Sequence, residues 1–387
     1  MARLLRFRRF FQALLALVVV GGFFLTTWVN PWRVVNVPWS SKALDPYRDI
    51  EKNFSRTCKA GLAASRQWDT AVFGSSRVDI GIDPNGPHLA SRNAVNLGLN
   101  AGLLHENKAA FDYFMARQEK PKLVIFFIDA GDLTMADQRR EEGLADFTNS
   151  PLKPGSQGIE SWFRDHCGVS SISSSIEVLR RAAEKEPALY SPRGFRTEAE
   201  RLEHPRKQIA GLYLSTILRI ARNRTALDGL DEGKLNEVRD IIRQCRSKGS
   251  RLLLVMPPNH ALFQLAFPSL GGSDPWFERD RMALARLAEE GGPEVEFWDF
   301  QDGHPLNSDR LPEEGQMEHW IDLFHFTPEI GEKMLSAMLD ERAGYGMELR
   351  PGEVQAQVER LKRQLANWAE AHPENMRFLS KSLEKFQ

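Results

Sequence analysis

The chain has few of the residues that build disulfide scaffolds and zinc sites. Its 387 residues include only three cysteines, Cys58, Cys167 and Cys245. They lie far apart and show no CxxC or Cys/His spacing, so a disulfide-dense fold is excluded and no metal site is predicted. One disulfide with one cysteine left over stays open.

The chain also lacks an excess of charge of either sign. Its 51 Lys and Arg balance 52 Asp and Glu, which leaves a formal net charge of -1. No basic field is present to hold a phosphate backbone, so nucleic acid is not expected as a partner. No GxGxxG or Walker motif follows a predicted strand, and the sequence predicts no cofactor.

What the chain does have is one long uncharged run near its N-terminus. Four arginines, at positions 3, 6, 8 and 9, precede a run from Phe10 to Val29 without a charged residue. Twenty helical residues span about 30 Å, the thickness of a hydrocarbon core. The arginines predict a cytoplasmic N-terminus, with the remaining chain on the other side of the membrane.

A cleaved signal peptide and a buried core helix are the alternative interpretations of this run. A signal peptide would have a shorter apolar region and a small-residue cleavage site. This run ends instead in the bulky Trp28 and Trp32, which are typical of membrane interfaces. We therefore predict a single-pass protein of the inner (cytoplasmic) membrane with a periplasmic or otherwise extracytoplasmic soluble domain.

Short apolar strands alternate with amphipathic helices through the rest of the chain. The run 123–128 is continuously apolar, as in strands that are buried on both faces of a parallel sheet. The alternation predicts an α/β fold with an open parallel sheet. The predicted strands are 70–73, 123–128, 251–256 and 295–298, and the predicted helices are 101–117, 233–247, 277–290 and 328–338.

The predicted organisation has four parts. They are the cytoplasmic N-terminus and anchor (1–32), a connector (33–65), an α/β domain (66–345) with a helical insertion (133–230), and a charged helical tail (346–387). The apolar stripe of the tail, with Val354, Val358, Leu361, Leu365 and Trp368, favours packing on its own domain over packing on a partner.

Polar residues follow three predicted strands, where open α/β sheets place their sites. They are Gly74-Ser75-Ser76-Arg77, Asp129 to Asp132, and Pro257 to His260. A serine in the first group is a candidate nucleophile if a base lies within reach and N–H groups hold the oxyanion. The alternative is a serine that only caps the next turn. His260 is either a residue of the cleft or an ordinary loop histidine.

The candidate base lies near the other end of the domain. Asp322 and His325 are three residues apart in an apolar stretch, which lets the carboxylate orient the imidazole. The alternative is a helix N-terminal Asp beside a structural His.

Together these motifs resemble the SGNH hydrolase superfamily. The chain looks most like its membrane-anchored branch, which includes the D-alanyl transfer protein of teichoic acid synthesis and SGNH-like proteins of exopolysaccharide O-acetylation. The resemblance rests on the anchor, Phe73-Gly74-Ser75-Ser76-Arg77, Asn96-Leu97-Gly98, Pro257-Pro258-Asn259-His260 and Asp322-x-x-His325. It extends over about residues 70 to 340 and implies a three-layer, flavodoxin-like parallel-sheet domain.

The resemblance assigns roles residue by residue. Ser76 matches the nucleophile, Asp322 and His325 match the other triad members, and Ser75 takes the place of the usual aspartate. The second of the short sequence blocks that characterise the family corresponds to residues 96–102 of this chain and begins at Asn96. It implies an oxyanion donor in the backbone of Gly102, with Gly98 as the alternative.

One block departs from the family pattern. The third block is normally Gly-x-Asn-Asp, whose Asn donates to the oxyanion, whereas this chain has Asp129-Ala130-Gly131-Asp132. Either Asp129 is protonated or another group donates. Arg77 is one candidate, and its charge can pair with Asp129 instead.

The resemblance implies a serine esterase or acyltransferase that acts on an envelope glycan or its acyl donor, without a metal or organic cofactor. Its partners would be an envelope polysaccharide or acyl donor and a membrane-bound O-acyltransferase. The competing hypothesis is a non-catalytic, membrane-tethered protein that binds glycans or supports an assembly with the same cleft.

Overall fold

A computed structural model describes most of the chain. The described residues are 2–134, 146–156, 158–198, 203–205, 207–209, 229–270, 274–341 and 344–384. Parts of the predicted helical insertion therefore lie outside the described residues, notably 135–145 and 210–228. Two compact units are present: unit 1 comprises residues 1–67 and 140–197, and unit 2 comprises residues 68–139 and 198–387.

Unit 2 contains a mostly parallel sheet of six strands in the order β2-β1-β3-β4-β5-β6. Only β6 runs antiparallel, against β5. Residues of β1 and β3 are fully buried, which explains their uninterrupted apolar sequences. The strands are β1 (Thr70–Phe73), β2 (Ala94–Asn96), β3 (Leu123–Phe127), β4 (Arg251–Met256), β5 (Val295–Asp299) and β6 (Met347–Glu348).

The predicted α/β class is confirmed, and the four predicted strands correspond to β1, β3, β4 and β5. Strands β2 and β6 were not predicted, because three and two residues are too short to show a periodicity. The helices are α1 (Ala2–Val29), α2 (Ser55–Ala64), α3 (Ser76–Gly81), α4 (Leu104–Met115), α5 (Ile159–Cys167), α6 (Val169–Glu184), α7 (Glu232–Lys248), α8 (Ala261–Leu270), α9 (Glu278–Gly291), α10 (Pro328–Ser336), α11 (Val354–Ala371) and α12 (Pro373–Glu384).

The strand order reverses beside β1. The chain proceeds from β1 to β2 at one edge and then returns to β3 on the other side of β1. In open parallel sheets, ligands bind outside the carboxyl ends of the strands at such a switch point. The segments after β1 and β3 begin at this point and carry Ser76 and Asp129.

The predicted helical tail begins with β6 and continues as two helices, rather than forming a single helical segment. It breaks at His372, because the following Pro373 disfavours a helical conformation at that residue. The apolar stripe of α11 lies inside unit 2, where Leu361 and Leu365 pack with Ala261 of α8. It therefore contributes to the core of its own unit.

Helix α1 of unit 1 is long and apolar enough to cross a membrane, and it is the one such helix among the described residues. Every residue from Arg3 to Gly21 is exposed, so no described part of the chain covers that stretch of the helix. The helix ends at Val29 because Asn30 adopts a left-handed conformation with φ 48° and Pro31 follows. Residues 22–29 contact α5 and α6.

The three cysteines are all free thiols, so no disulfide forms. Cys58 and Cys245 are buried, and burial raises the pKa of both thiols. Among the described residues, no group of three or more His, Cys, Asp or Glu side chains is arranged to hold a metal ion.

Candidate active site

In the turn after β1, the two adjacent serines have different positions. Gly74 lets the chain pass close to its neighbours, since a Cβ there would lie 2.6 Å from Val78 Cγ2 and 2.8 Å from Phe127 Cβ. Ser75 is the buried N-cap of α3, and its hydroxyl accepts from the Arg77 N–H at 3.4 Å. Ser76 starts the helix and is only half-buried. The sequence left open whether a serine here only caps the next turn. In the structure, Ser75 is the serine in the capping position.

Ser76 lies within hydrogen-bond distance of His325, although 249 residues separate them. Ser76 Oγ is 2.8 Å from His325 Nε2, and Asp322 Oδ2 is 2.7 Å from His325 Nδ1. With the carboxylate on Nδ1, the favoured tautomer carries its proton there, so Nε2 accepts from the serine hydroxyl. The side chain of His325 is 26% exposed, so a ligand can reach it. This is the geometry of a serine nucleophile, its base and an orienting carboxylate.

Asp322 also shapes the loop that carries the histidine. Its Oδ1 accepts from the backbone N–H groups of Phe324 at 2.7 Å and His325 at 2.6 Å. The loop is closed by the Ile321 N–H, which donates to the His325 carbonyl at 2.8 Å. One carboxylate therefore fixes both the backbone of this loop and the orientation of the ring.

Two glycines bring this loop and the helix after it close to the end of α3. A Cβ on Gly331 of α10 would overlap the Gly81 carbonyl, and a Cβ on Gly81 would overlap the ring of Phe326. Helix α10 follows the histidine loop directly, and α3 begins with Ser76. Close packing of these helices therefore helps to set the distance between Ser76 and His325. Glycine inside two helices was the available sequence signal, since it is costly there unless packing requires it.

Arg77, which follows β1, pairs with Asp129, which follows the neighbouring strand β3. Its Nη1 lies 3.0 Å from Asp129 Oδ1, and its side chain is almost fully buried. The guanidinium stacks over Phe324, with 4.4 Å to the ring centroid, and lies 5.4 Å from the centroid of Phe326. Of the two arrangements considered for Arg77, the structure shows the ion pair. The positive charge of Arg77 compensates the negative charge of Asp129, which lies where the family pattern has an asparagine.

Buried carboxyl groups hold the turn after β3. Asp132 Oδ2 accepts from the Asp129 N–H at 3.0 Å, and Asp280 Oδ2 accepts from the Gly131 N–H at 2.9 Å. Burial, followed by the nearby charge of Asp129, raises the pKa of Asp132 well above its usual range. Burial also raises the pKa of Asp280 to about 7. Asp280 had no signal in the sequence, because it lies on α9, about 150 residues from the turn that it holds.

The second block lies against α3, and its side chains have structural partners. Asn96 Nδ2 donates to the carbonyls of Val78 and Ile82, both at 2.7 Å, and Asn96 Oδ1 accepts from the Gly98 N–H at 2.9 Å. The Gly102 N–H donates to the Leu99 carbonyl at 2.8 Å. The two predicted oxyanion donors, Gly98 and Gly102, are thus engaged in this conformation, and either would have to exchange its partner to reach a substrate.

His260 has no exposed surface. Its Nε2 lies 2.8 Å from the Asp309 carbonyl, and its Nδ1 accepts from the Leu262 N–H at 3.2 Å. Burial lowers the pKa of the ring to about 4, so the imidazole is neutral. The backbone N–H of His260 donates to the Leu323 carbonyl at 3.2 Å, which ties the segment after β4 to the histidine loop. The structure corresponds to the alternative of a structural loop histidine.

Comparisons with protein-family models and with curated proteins found no match for this chain. An activity can therefore be inferred only from the residues of the site and from their geometry.

Proposed function

We propose that the chain is a membrane-anchored, SGNH-type serine esterase or acyltransferase. The observation that carries the proposal is the pair of contacts at His325, 2.8 Å to Ser76 Oγ and 2.7 Å to Asp322 Oδ2. The position of Ser76 at the switch point of the sheet supports it, because that is where open α/β sheets bind ligands.

In the proposed reaction, Ser76 Oγ attacks the carbonyl carbon of an ester while its proton passes to His325 Nε2. Asp322 stabilises the resulting imidazolium through Nδ1–H. The imidazolium then protonates the departing alcohol as the ester C–O bond breaks, which leaves an acyl group on Ser76. A sugar hydroxyl or water next gives its proton to Nε2, attacks the acyl group and regenerates the serine.

The negative charge that develops on the carbonyl oxygen needs donors nearby. The backbone N–H of Ser76 is a candidate, because a residue that begins a helix has no acceptor within that helix. The ion pair of Arg77 with Asp129 reduces the repulsion that the carboxylate alone would exert on the oxyanion.

The proposed substrate is an envelope glycan or its acyl donor. Helix α1 supports a membrane location, and the arginines before it support an inner-membrane anchor with the catalytic unit on the extracytoplasmic side. The resemblance to exopolysaccharide O-acetylation proteins supports a relay in which a membrane-bound O-acyltransferase is the partner. The proposed chemistry uses side chains alone and requires no cofactor.

A second candidate function is favoured by the engaged N–H groups. Because Gly98 and Gly102 donate to Asn96 Oδ1 and the Leu99 carbonyl, and Asp129 stands where the family has Asn, the oxyanion site is incomplete in this conformation. A non-catalytic, tethered protein that binds glycans through the same cleft would need no such site.

A fluorophosphonate probe separates the two candidates. With the full chain in its native membrane, we expect the wild type and Ser75→Ala to be labelled and Ser76→Ala to remain unlabelled. If the wild type is not labelled, the triad is inactive and the glycan-binding candidate is favoured. Labelling of Ser76→Ala would place the nucleophile elsewhere.

A further inference from the structure

Helix α5 of unit 1 exposes its apolar face and buries its polar face, the reverse of a surface helix in a soluble domain. The exposed fractions of Ile159, Trp162 and Phe163 are 73%, 46% and 50%, and their spacing places them on one face. The buried face carries Ser161 and Asp165 instead. A surface helix in water normally buries its apolar face and exposes its polar one, so the medium around this face is predicted to be apolar.

The same helix lies against the end of α1. The ring of Phe23 stacks with Trp162 at 6.2 Å and with His166 at 6.0 Å between centroids. The hydroxyl of Thr26 donates to the His166 carbonyl. Helix α5 therefore sits beside Phe23 to Thr26, before the end of α1 at Val29.

Helix α6 extends this contact in both directions along α1. A Cβ on Gly22 would lie 3.0 Å from Ile172 Cδ1, near the start of α6. Further along α6, Val178 clusters with Val29. Ile172 of α6 therefore lies at the level of Gly22 and Val178 at the level of Val29, and α6 continues for six residues more. At about 1.5 Å per residue, Gly22 lies roughly 10 Å before Val29.

We propose that α5 and the first turns of α6 are embedded in the outer leaflet of the membrane that α1 crosses, at the boundary between headgroups and acyl chains. Three observations favour lipid over a protein partner. The apolar face is continuous with α1, whose residues are exposed on all sides up to Gly21. Its depth of roughly 10 Å matches that of interfacial helices. Trp162 has the residue type that is enriched at this boundary.

The polar groups of α5 fit such a position. Arg164 pairs with Asp165 at 2.7 Å, and its Nη1 donates to the Asn149 carbonyl. Ser161 donates to the Gly158 carbonyl at 2.8 Å. Ser161, Arg164 and Asp165 thus have partners within unit 1, whereas the Glu160 carboxylate is exposed, as a headgroup-level position allows. Val169 and Ile176 of α6 are further exposed apolar side chains next to this face.

The test measures the depth of a fluorophore in vesicles. The full chain, with Cys167→Ser, carries a nitrobenzoxadiazole label on Phe163→Cys and is reconstituted in phosphatidylcholine and phosphatidylglycerol vesicles. Cys58 and Cys245 are buried thiols with raised pKa, so they react poorly. The matched control is Glu184→Cys, at the other end of α6, where the side chain is exposed.

We expect lipid-attached doxyl groups to quench the label at position 163 roughly fivefold more than at position 184, because an interfacial face lies about 5–10 Å deep. Iodide in the buffer should show the opposite order. Ile159→Cys should repeat the result for position 163, which guards against a local disturbance.

Two outcomes overturn the proposal. A label at position 163 that iodide quenches and lipid does not would place the face in water. A label that neither reagent quenches would show that a protein surface covers it.

The proposal rests on α1 as an anchor and is independent of catalysis. A label on Leu17→Cys, an exposed residue of α1, tests the anchor separately. If lipid quenches position 17 but not position 163, the anchor stands and the embedded helix fails. If neither position is quenched by lipid, both fail. Fluorophosphonate labelling of Ser76 is unaffected by either result.

Discussion

The histidine loop of unit 2 and helix α5 of unit 1 depart from ordinary burial in opposite directions. In the loop, the carboxylate of Asp322 is largely buried, and both of its oxygens accept hydrogen bonds. In the helix, the apolar side chains of Ile159 and Phe163 are exposed, and Trp162 is about half exposed beside Phe23 of α1. Buried polar groups and exposed apolar faces both cost free energy in water, so we look for a functional reason at each of these two places.

The two regions also differ in how many other residues fix them. The histidine loop is held by its own hydrogen bonds, by the Gly81–Gly331 contact and by the His260 N–H. Helix α5 is held by α1, by α6 and by the hydrogen bond from Arg164 to the Asn149 carbonyl, while its apolar face stays largely exposed. Substitutions in the histidine loop should therefore change activity and stability in the purified protein. Substitutions on the apolar face of α5 should show their effect mainly when a membrane is present.

The largest effect is expected at Ser76. Ser76→Ala should lower turnover of a short acyl ester by about 10³–10⁶, or roughly 4–8 kcal/mol of barrier, because it removes the nucleophile. Ser75→Ala removes a buried cap hydroxyl, so it should cost about 1 kcal/mol of stability and tenfold or less in turnover. Steady-state hydrolysis by the folded full chain measures both. Equal activity in the two variants and the wild type would exclude covalent catalysis at this turn.

Next in size is Asp322→Asn. The change keeps the shape of the side chain but removes the charge that orients and stabilises His325, so we expect a loss of about 10⁴ in kcat. Asp309→Asn is the matched control, because Asp309 makes a similar contact with another histidine, 2.9 Å to His319 Nδ1. It should retain kcat within about tenfold. A loss of the same size in both variants would indicate a general structural effect rather than a triad.

A smaller effect is expected from Gly331→Ala. The added methyl group would overlap the Gly81 carbonyl, so α3 and α10 must separate, at a cost of about 1–3 kcal/mol. Denaturant unfolding of the full chain in detergent measures the loss. Gly352→Ala is the control, since nothing lies within 4 Å of a Cβ there. If Gly331→Ala unfolds at the wild-type midpoint, close helix contact does not set the geometry of the site.

The smallest effect concerns pH and His260. Its pKa is lowered by burial to about 4, against 6.5 for a free imidazole. The unfolded chain therefore binds the proton more readily, so this residue stabilises the fold above about pH 6.5 and loses that contribution as the pH falls toward 4. In His260→Gln, unfolding midpoints should depend less on pH across this window. An unchanged pH dependence would show that other groups control it.

Much of the fold could be predicted because its signals are local. The uncharged run before Val29 and the apolar strands β1, β3, β4 and β5 are each visible within a few residues. Strands β2 and β6 were missed because they exist only through pairing with their neighbours. The break before Pro373 has a local cause, but the continuous stripe of α11 concealed it.

Helix α5 shows what a clear sequence pattern cannot predict, namely whether its apolar face is covered. The spacing of Ile159, Trp162 and Phe163 indicates an amphipathic helix, and a pattern of this kind normally predicts a buried face. Whether that face is covered depends on where the rest of the chain packs. Only the tertiary structure shows that Ile159 and Phe163 stay exposed although α1 and α6 pack against this helix.

For the candidate site, the sequence by itself determined the residue types at the strand ends and the spacing of Asp322 and His325. The tertiary structure decided that Ser76 rather than Ser75 faces the imidazole, that Arg77 pairs with Asp129, and that the N–H groups of Gly98 and Gly102 are engaged. The physical reason is distance along the chain. A turn or a strand follows from neighbouring residues, whereas a contact across 249 residues exists only after the sheet and the α3–α10 contact have formed.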